Sequence, residues 1–331
     1  MVKIAVVNSN SFGRVFPEHW SRLKRLGLPK RFQVRPDISG AALAAKLRGC
    51  AYVIASVNPQ FDANFFEGLR GGLRLLARHG IGVNNVDLAA ATRCKVPVSK
   101  VPGLVEQEAV AEHTLALLLS ALRRLKPADR AAAAGQWLSR PKFVGAELKG
   151  REIGIIGFGN IGSRVSEILS RGFGAKVLAC DPAVSASNMA RHGAKKTSLA
   201  SLLKQVSALS LNCSLNPGNR GFLNAALLRR CQKGVVIVNT ARGELVNEAA
   251  LRGALRGGRV AAYATDVLSG EPDIRRKHPL LRAPGALVVP HIAAYTKESL
   301  RAMGEKMLAD IEAVSKGRRP RELANPEVFN R

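Results

Sequence analysis

Acidic side chains are scarce in this chain. Only 24 of 331 residues are Asp or Glu, against 51 Lys and Arg, which leaves a formal net charge of +27. Aromatic residues are few as well, at 5%. Apolar runs stay short: Leu115–Leu119 is ended by Ser120, whereas a bilayer-spanning helix needs about 20 apolar residues. Five cysteines (Cys50, Cys94, Cys180, Cys213, Cys231) form an odd set with no C-x-x-C pair. That argues against a disulfide framework or a zinc site and suits free thiols in a reducing compartment, so a cytoplasmic protein is expected. The opening residues, Met1-Val2-Lys3-Ile4-Ala5-Val6-Val7-Asn8, carry a charge within a short apolar stretch and no small-residue cleavage site. They read as a core strand rather than a signal peptide.

Apolar residues make up 47% and charged residues 23%, an ordinary globular balance. The length is comfortable for two domains. The positive excess is spread out: 16 basic against 5 acidic residues in 1–100, 27 against 13 in 101–289, and 8 against 6 in 290–331. Such a field draws small anions toward the surface. A dedicated nucleic-acid arm would concentrate it, so no nucleic-acid partner is expected.

Strand-like runs alternate with helical patterns throughout. Val2–Val7, Ala51–Ala55, Leu73–Ala77 and Val96–Ser99 read as strands of a first lobe, with a helix over Phe16–Leu26 broken by Gly27 and Pro29. Val110 to Leu125 is helical and very apolar, as expected of a buried or subunit-contact helix. Ile153–Ile156, Lys176–Cys180, Ala208–Leu211, Val235–Val238, Ala261–Thr265 and Leu287–Val289 are the strands of a second series. A last helix runs from Lys297 to Ser315, with Leu300, Met303, Met307, Ile311 and Val314 on one face. This alternation predicts an α/β protein with two parallel sheets covered by helices.

One turn joins strand to helix with unusual chemistry. Ile153–Ile156 leads into Gly157-Phe158-Gly159-Asn160-Ile161-Gly162, a G-x-G-x-x-G pattern, and the next strand ends at Asp181, 19 residues after Gly162. Strand, glycine turn, helix, strand and carboxylate at this spacing make up the dinucleotide fingerprint. Gly157 permits the tight turn. Gly159 lets backbone N–H groups approach a pyrophosphate at the helix start, and Gly162 lets helix and strand pack closely. Asp181 can accept ribose hydroxyls and would repel a 2′-phosphate, which predicts NAD rather than NADP.

Three further strand ends carry Arg, acid and His. Asn239-Thr240-Ala241-Arg242-Gly243 follows one, Asp266-Val267 with Glu271-Pro272 another, and Pro290-His291-Ile292-Ala293 the third. Ligands bind along that edge in open parallel sheets. Together with Gly80-Ile81-Gly82-Val83-Asn84-Asn85-Val86-Asp87 and Val110-Ala111-Glu112-His113, this ordered set resembles the D-isomer-specific 2-hydroxyacid dehydrogenase family over most of the chain.

The resemblance implies two Rossmann-like or flavodoxin-like domains. Residues 1–100 plus 295–331 would form a discontinuous substrate-binding domain and 101–294 the NAD-binding domain. It also implies a homodimer built around the helix near 104–125. His291 would protonate the substrate carbonyl as hydride arrives, Glu271 would hold the other imidazole nitrogen, and Arg242 would bind the substrate carboxylate and carbonyl. Backbone N–H groups around Ile81 and Gly82 would take the remaining carboxylate charge. Asp266 would orient the nicotinamide amide beside Thr240 and Ala241, and Cys213 and Ser214 would border the adenine. Pocket walls near Ser56, Asn58, Lys100 and Tyr295 would choose the substrate. At Lys100 many relatives have Asn; a lysine there either meets a second anionic group, such as a phosphate or a distal carboxylate, or is simply solvated. Corepressors of the C-terminal-binding-protein type, and formate and phosphite dehydrogenases, share the scaffold and are the alternative readings. His113 reads as a core or interface residue, His79 as a border of the carboxylate loop, and His19 and His192 as surface.

Overall fold

A strand buried on both faces of a parallel sheet must be apolar throughout, because helices cover it above and below. β1 (Lys3–Val7) meets that demand from Ile4 to Val7, as do β3 (Cys50–Ala55) over most of its length and β4 (Leu75–Arg78) up to Ala77. In the computed structural model, which describes residues 1–330 except Pro272, Arg275 and Arg276, these strands join β2 (Leu28–Phe32) and β5 (Val98–Ser99). They form an all-parallel sheet in the order β2-β1-β3-β4-β5. The strand order reverses between β1 and β3, which opens a crevice at their carboxyl ends.

The second sheet has seven parallel strands: β6 (Glu152–Ile156), β7 (Lys176–Cys180), β8 (Ala194–Lys196), β9 (Ala208–Leu211), β10 (Val235–Asn239), β11 (Val260–Thr265) and β12 (Ala286–Val288). Their order is β12-β11-β10-β9-β6-β7-β8, so the reversal falls between β6 and β9. The chain divides into two compact units: Met1–Glu106 with the segment from Tyr295 onward, and Gln107–Ala294. The division lies inside the helix Gly103–Leu122 rather than at residue 100, because the chain passes from one unit to the next as continuous helix.

The sequence pattern missed two edge strands. β2 contains Pro29 and is exposed or half-buried throughout, and β8 exposes two lysines. Edges tolerate proline and favour lysine because they do not need two apolar faces, so neither strand leaves an apolar run to find. The apolar helix also ends sooner than the expected 104–125. It stops at Leu122, and Arg124 takes a left-handed conformation (φ 55°) before a new helix, Leu125–Ala133.

The final helix, Lys297–Ser315, is capped by Thr296, whose hydroxyl accepts the Ser299 N–H at 3.1 Å. Leu300, Met303, Met307, Leu308 and Ile311 pack into a core with Ile4, Val6, Phe12, Tyr52 and Ile54. His19 belongs to this core and not to the surface. It is 1% exposed, stacks on Phe12, and lies so close to the final helix that a Cβ on Gly304 would sit 2.1 Å from its Nδ1. After that helix the chain returns to β5, where Leu323 forms an antiparallel bridge with Ser99. Fully buried Asn325 fastens it: its Oδ1 accepts the Val98 N–H at 2.8 Å, and its Nδ2 donates to Val96 O at 3.0 Å. No helix among the described residues is long and apolar enough to cross a membrane.

Candidate active site

The glycine turn sits at the reversal of the second sheet. β6 is flanked by β7 and β9, so the turns after all three meet at Gly157. Its N–H donates to Cys180 O at 3.0 Å. Its φ is 89°, and a Cβ there would lie 2.4 Å from the Cys213 backbone nitrogen. Only glycine fits such a position. Gly162 is equally confined, with a Cβ site 2.2 Å from Gly157 O, whereas nothing lies within 4 Å of a Cβ on Gly159. Gly159 precedes the helix Asn160–Glu167, whose first backbone N–H groups receive no side-chain cap. Asp181 ties the turn to the end of β7. Its two oxygens accept the Phe158 N–H at 2.8 Å and the Ala183 N–H at 2.9 Å, and each keeps a lone pair for another donor.

The second cluster grows from the ends of β10, β11 and β12. Asn239, fully buried, acts as a local brace. Its Oδ1 accepts the Ala241 N–H at 3.0 Å, and its Nδ2 donates to Arg242 O at 2.9 Å and to Tyr263 Oη at 3.1 Å. Arg242 Nη1 in turn donates to Ala241 O at 2.6 Å. Gly243 lets this turn press on the next one; a Cβ there would lie 2.1 Å from the Leu268 carbonyl carbon. Thr240 is held by Thr114, their hydroxyls 2.7 Å apart in a buried contact. The sequence alone assigns no role to the side chain of Asn239 or of Thr114. The signal for Asn239 is its place directly before the Arg-bearing turn, while Thr114 lies 126 residues away from its partner in the chain.

Asp266 is 2% exposed. Its Oδ2 accepts the Ala293 N–H at 2.8 Å, and its Oδ1 is buried with no partner among the described residues. A buried carboxylate oxygen without a donor is costly, and the chemistry that would relieve it is a ligand N–H, as a carboxamide supplies. Glu271 accepts the Leu268 N–H with Oε1, and its Oε2 lies 2.6 Å from His291 Nδ1. The His291 ring is 40% exposed, and its Nε2 makes no hydrogen bond to the protein among the described residues. Crowding around the ring works against its charged form. The hydrogen bond and charge of Glu271, helped by Asp266, outweigh that crowding and the opposing Arg242, so the His291 pKa is raised above 6.5.

Arg242, Asp266, Glu271 and His291 therefore come from three adjacent strand ends of one unit, together with the glycine turn. Pro272 lies outside the described residues. The other residues expected on the substrate side belong to the other unit. Asn58 follows β3, where its Oδ1 accepts from Asn8 Nδ2; Ile81 and Gly82 follow β4, and Lys100 follows β5. His79 is 7% exposed and packs edge-on against Phe12, with its pKa pushed down to about 3 by burial and by the neighbouring Arg78. His192 pairs with Glu167 at 2.9 Å.

Residues 115–293, just over half of the chain, match the family described as D-isomer specific 2-hydroxyacid dehydrogenase, NAD binding domain. The chain is 32% identical over 293 residues to a D-3-phosphoglycerate dehydrogenase of Archaeoglobus fulgidus, covering 88% of this chain and 55% of that protein. It is 35% identical over 262 residues to a glyoxylate reductase of Aeropyrum pernix, covering 77% of each. It thus spans about half the length of the phosphoglycerate dehydrogenases it matches. Among solved structures it resembles the TT0316 protein of Thermus thermophilus, with a TM-score of 0.85 at 30% identity over 97% of this chain and 99% of that one. It also resembles a glyoxylate reductase of Paecilomyes thermophila, with a TM-score of 0.82 at 29% identity over 98% and 99%. The dinucleotide turn, the family match across it and the likeness in fold together establish that the chain belongs to the D-isomer specific 2-hydroxyacid dehydrogenase family, with its NAD binding domain in residues 115–293.

Proposed function

We propose that this chain is an NAD-dependent D-2-hydroxyacid dehydrogenase that works as a 2-oxoacid reductase. The observation that carries the reading is the His291–Glu271 pair at 2.6 Å, beside Asp266 and Arg242 on neighbouring strand ends. The residues fit the cofactor. The N–H groups of the turn Gly157–Gly162, with Phe158, Asn160 and Ile161, would hold the pyrophosphate. Asp181 would take the ribose, Cys213 and Ser214 would border the base, and Asp266 Oδ1, with Thr240 and Ala241, would take the carboxamide. When bound, NADH supplies the hydride that reaches C2 of the oxo acid.

The protein's part is binding and proton transfer. Arg242 presents a planar fork suited to a carboxylate and a carbonyl oxygen. Backbone N–H groups near Ile81 and Gly82 would share the carboxylate charge, with Asn58 lining the pocket. His291 Nε2 would deliver its proton to the carbonyl oxygen. Glu271, bonded to Nδ1, keeps that ring in one orientation and favours its charged form. A pure binding protein on this scaffold has no need of an imidazole held by a carboxylate, which favours an enzyme over a corepressor.

The supporting assay follows NADH oxidation with glyoxylate, hydroxypyruvate and pyruvate, and NAD reduction with formate and phosphite. Turnover on the oxo acids, lost in both His291→Ala and Arg242→Ala, supports the reading. Turnover on formate or phosphite alone would replace it. Two copies would associate through the region around the apolar helix. Exposed Leu125, Trp137, Leu138 and Val144 supply apolar surface there, and sedimentation velocity tests this. The five free cysteines suit the cytoplasm.

A further inference from the structure

β4 and β5 are neighbours in register, Leu76 with Val98 and Ala77 with Ser99. The turns that follow them therefore start side by side, about 4.8 Å apart. After β4 comes His79-Gly80-Ile81-Gly82; after β5 comes Lys100-Val101. The Val101 N–H donates to Gly80 O at 3.1 Å, which fastens the two turns together. On its other side the Lys100 N–H donates to Glu322 O at 3.0 Å. That returning segment is itself anchored by Lys306 Nζ on Arg321 O at 2.9 Å and by buried Asn325. The backbone of Lys100 is thus pinned from both sides, so only side-chain freedom is lost when its ammonium meets a ligand.

The ammonium is in a different position. Lys100 is half-buried, yet among the described residues it makes no ion pair or side-chain hydrogen bond. The carboxylate next to it along the strap belongs to Glu322, which offers its backbone carbonyl instead. Asp310, a buried acid of this unit, pairs with Lys306. At the far side of the same edge, Asn8 and Asn58 contribute only neutral amides. Beneath the Gly80 turn lies the Arg78 guanidinium, 4% exposed; a Cβ on Gly80 would sit 2.8 Å from its Nη1. Lys100 thus stands directly beside the Gly80–Gly82 turn.

We propose that Lys100 is a specificity-determining residue that reads a second anionic group on the substrate, so that the enzyme prefers 2-oxo acids bearing a distal phosphate or carboxylate. This rests on the 2-oxoacid reductase reading. The Gly80–Gly82 turn takes the C1 carboxylate, and the lysine one strand over meets the group carried beyond C2. A lysine ammonium is a compact point charge that suits either anion.

The test compares kcat/KM for NADH oxidation with 3-phosphohydroxypyruvate, oxaloacetate, glyoxylate and pyruvate, in wild type, Lys100→Met and Lys100→Arg. Wild type should favour one of the doubly anionic acids, and which one identifies the distal group. Lys100→Met should lower the ratio of that acid to glyoxylate by about tenfold or more, and Lys100→Arg should restore most of it. Equal losses on singly and doubly anionic acids, or no wild-type preference, would overturn the assignment while leaving the reductase reading intact. No turnover on any of the four acids would overturn the reductase reading, and this assignment with it.

Discussion

His291 Nδ1 and Glu271 Oε2 lie 2.6 Å apart, and the other oxygen of Glu271 accepts the Leu268 N–H. One carboxylate thus joins the turn after β11 to the turn after β12. It fixes the imidazole through Nδ1 and leaves Nε2 without a hydrogen bond to the protein among the described residues. The same bond is what overcomes the crowding of the ring and raises its pKa.

That balance sets a pH signature. In the proposed reaction oxo-acid reduction needs the protonated ring, so its rate should fall as pH rises through the His291 pKa, at a value above 6.5. In Glu271→Gln the hydrogen bond loses its charge while the crowding remains, so the falling limb should move to lower pH, below 6.5. At pH 7.5 this variant should lose about tenfold to a hundredfold in kcat, and His291→Ala about 10²–10⁴-fold. A pH–rate profile measured in the reducing direction decides it; an unmoved limb in Glu271→Gln would mean that the pair does not govern the proton.

Arg242 should tolerate no substitution, lysine included. Lysine keeps the charge but loses the two-pronged donor geometry, so Arg242→Lys should cost roughly 10²-fold in kcat/KM for the oxo acid. Titrating NADH fluorescence in the same variant separates a substrate defect from a cofactor defect. Cofactor affinity reduced as strongly as kcat/KM would assign Arg242 to the wrong ligand.

The glycine turn offers a paired comparison. Gly157→Ala meets both a positive φ and a Cβ contact of 2.4 Å with Cys213, so it should destabilise the NAD binding domain by about 2–4 kcal/mol. Gly159→Ala meets no protein atom within 4 Å and should unfold within a degree or two of wild type. It should still weaken NADH binding at least tenfold, since its methyl occupies the space through which the pyrophosphate approaches. Calorimetry with NADH titration checks both halves.

Acid should weaken the first unit through His79. The ring titrates near 6.5 when unfolded and at about 3 when folded, so between those values the unfolded chain binds the extra proton. Stability is therefore intact above pH 6.5 and declines as pH falls toward 3, by about 2 kcal/mol at pH 5. Buried His19, its pKa also lowered, adds in the same direction. Urea unfolding of wild type and His79→Leu at pH 7 and pH 5 tests this: the substitution should shrink the difference between the two pH values.

Much of the architecture was legible in the amino-acid order. Runs such as Lys176–Cys180 and Ala208–Leu211, the glycine turn with Asp181, and the face of Lys297–Ser315 are local patterns. A buried parallel strand must be apolar along its length, and a tight strand-to-helix turn must be glycine, whatever lies elsewhere. Tertiary structure alone decided features that depend on distant partners. β2 and β8 are strands because a neighbour supplies their hydrogen bonds, and their own residues carry the mark of an edge instead. His19 is buried because Gly304, 285 residues later, leaves room for its ring. The Thr114–Thr240 contact and the anchoring of Lys100 by the returning tail are of the same kind, whereas the Glu271–His291 bond was already implied by the resemblance of the strand-end motifs. A side chain's protonation, orientation and availability are set by the groups packed around it, and in a parallel α/β fold those groups arrive from strand ends far apart in sequence.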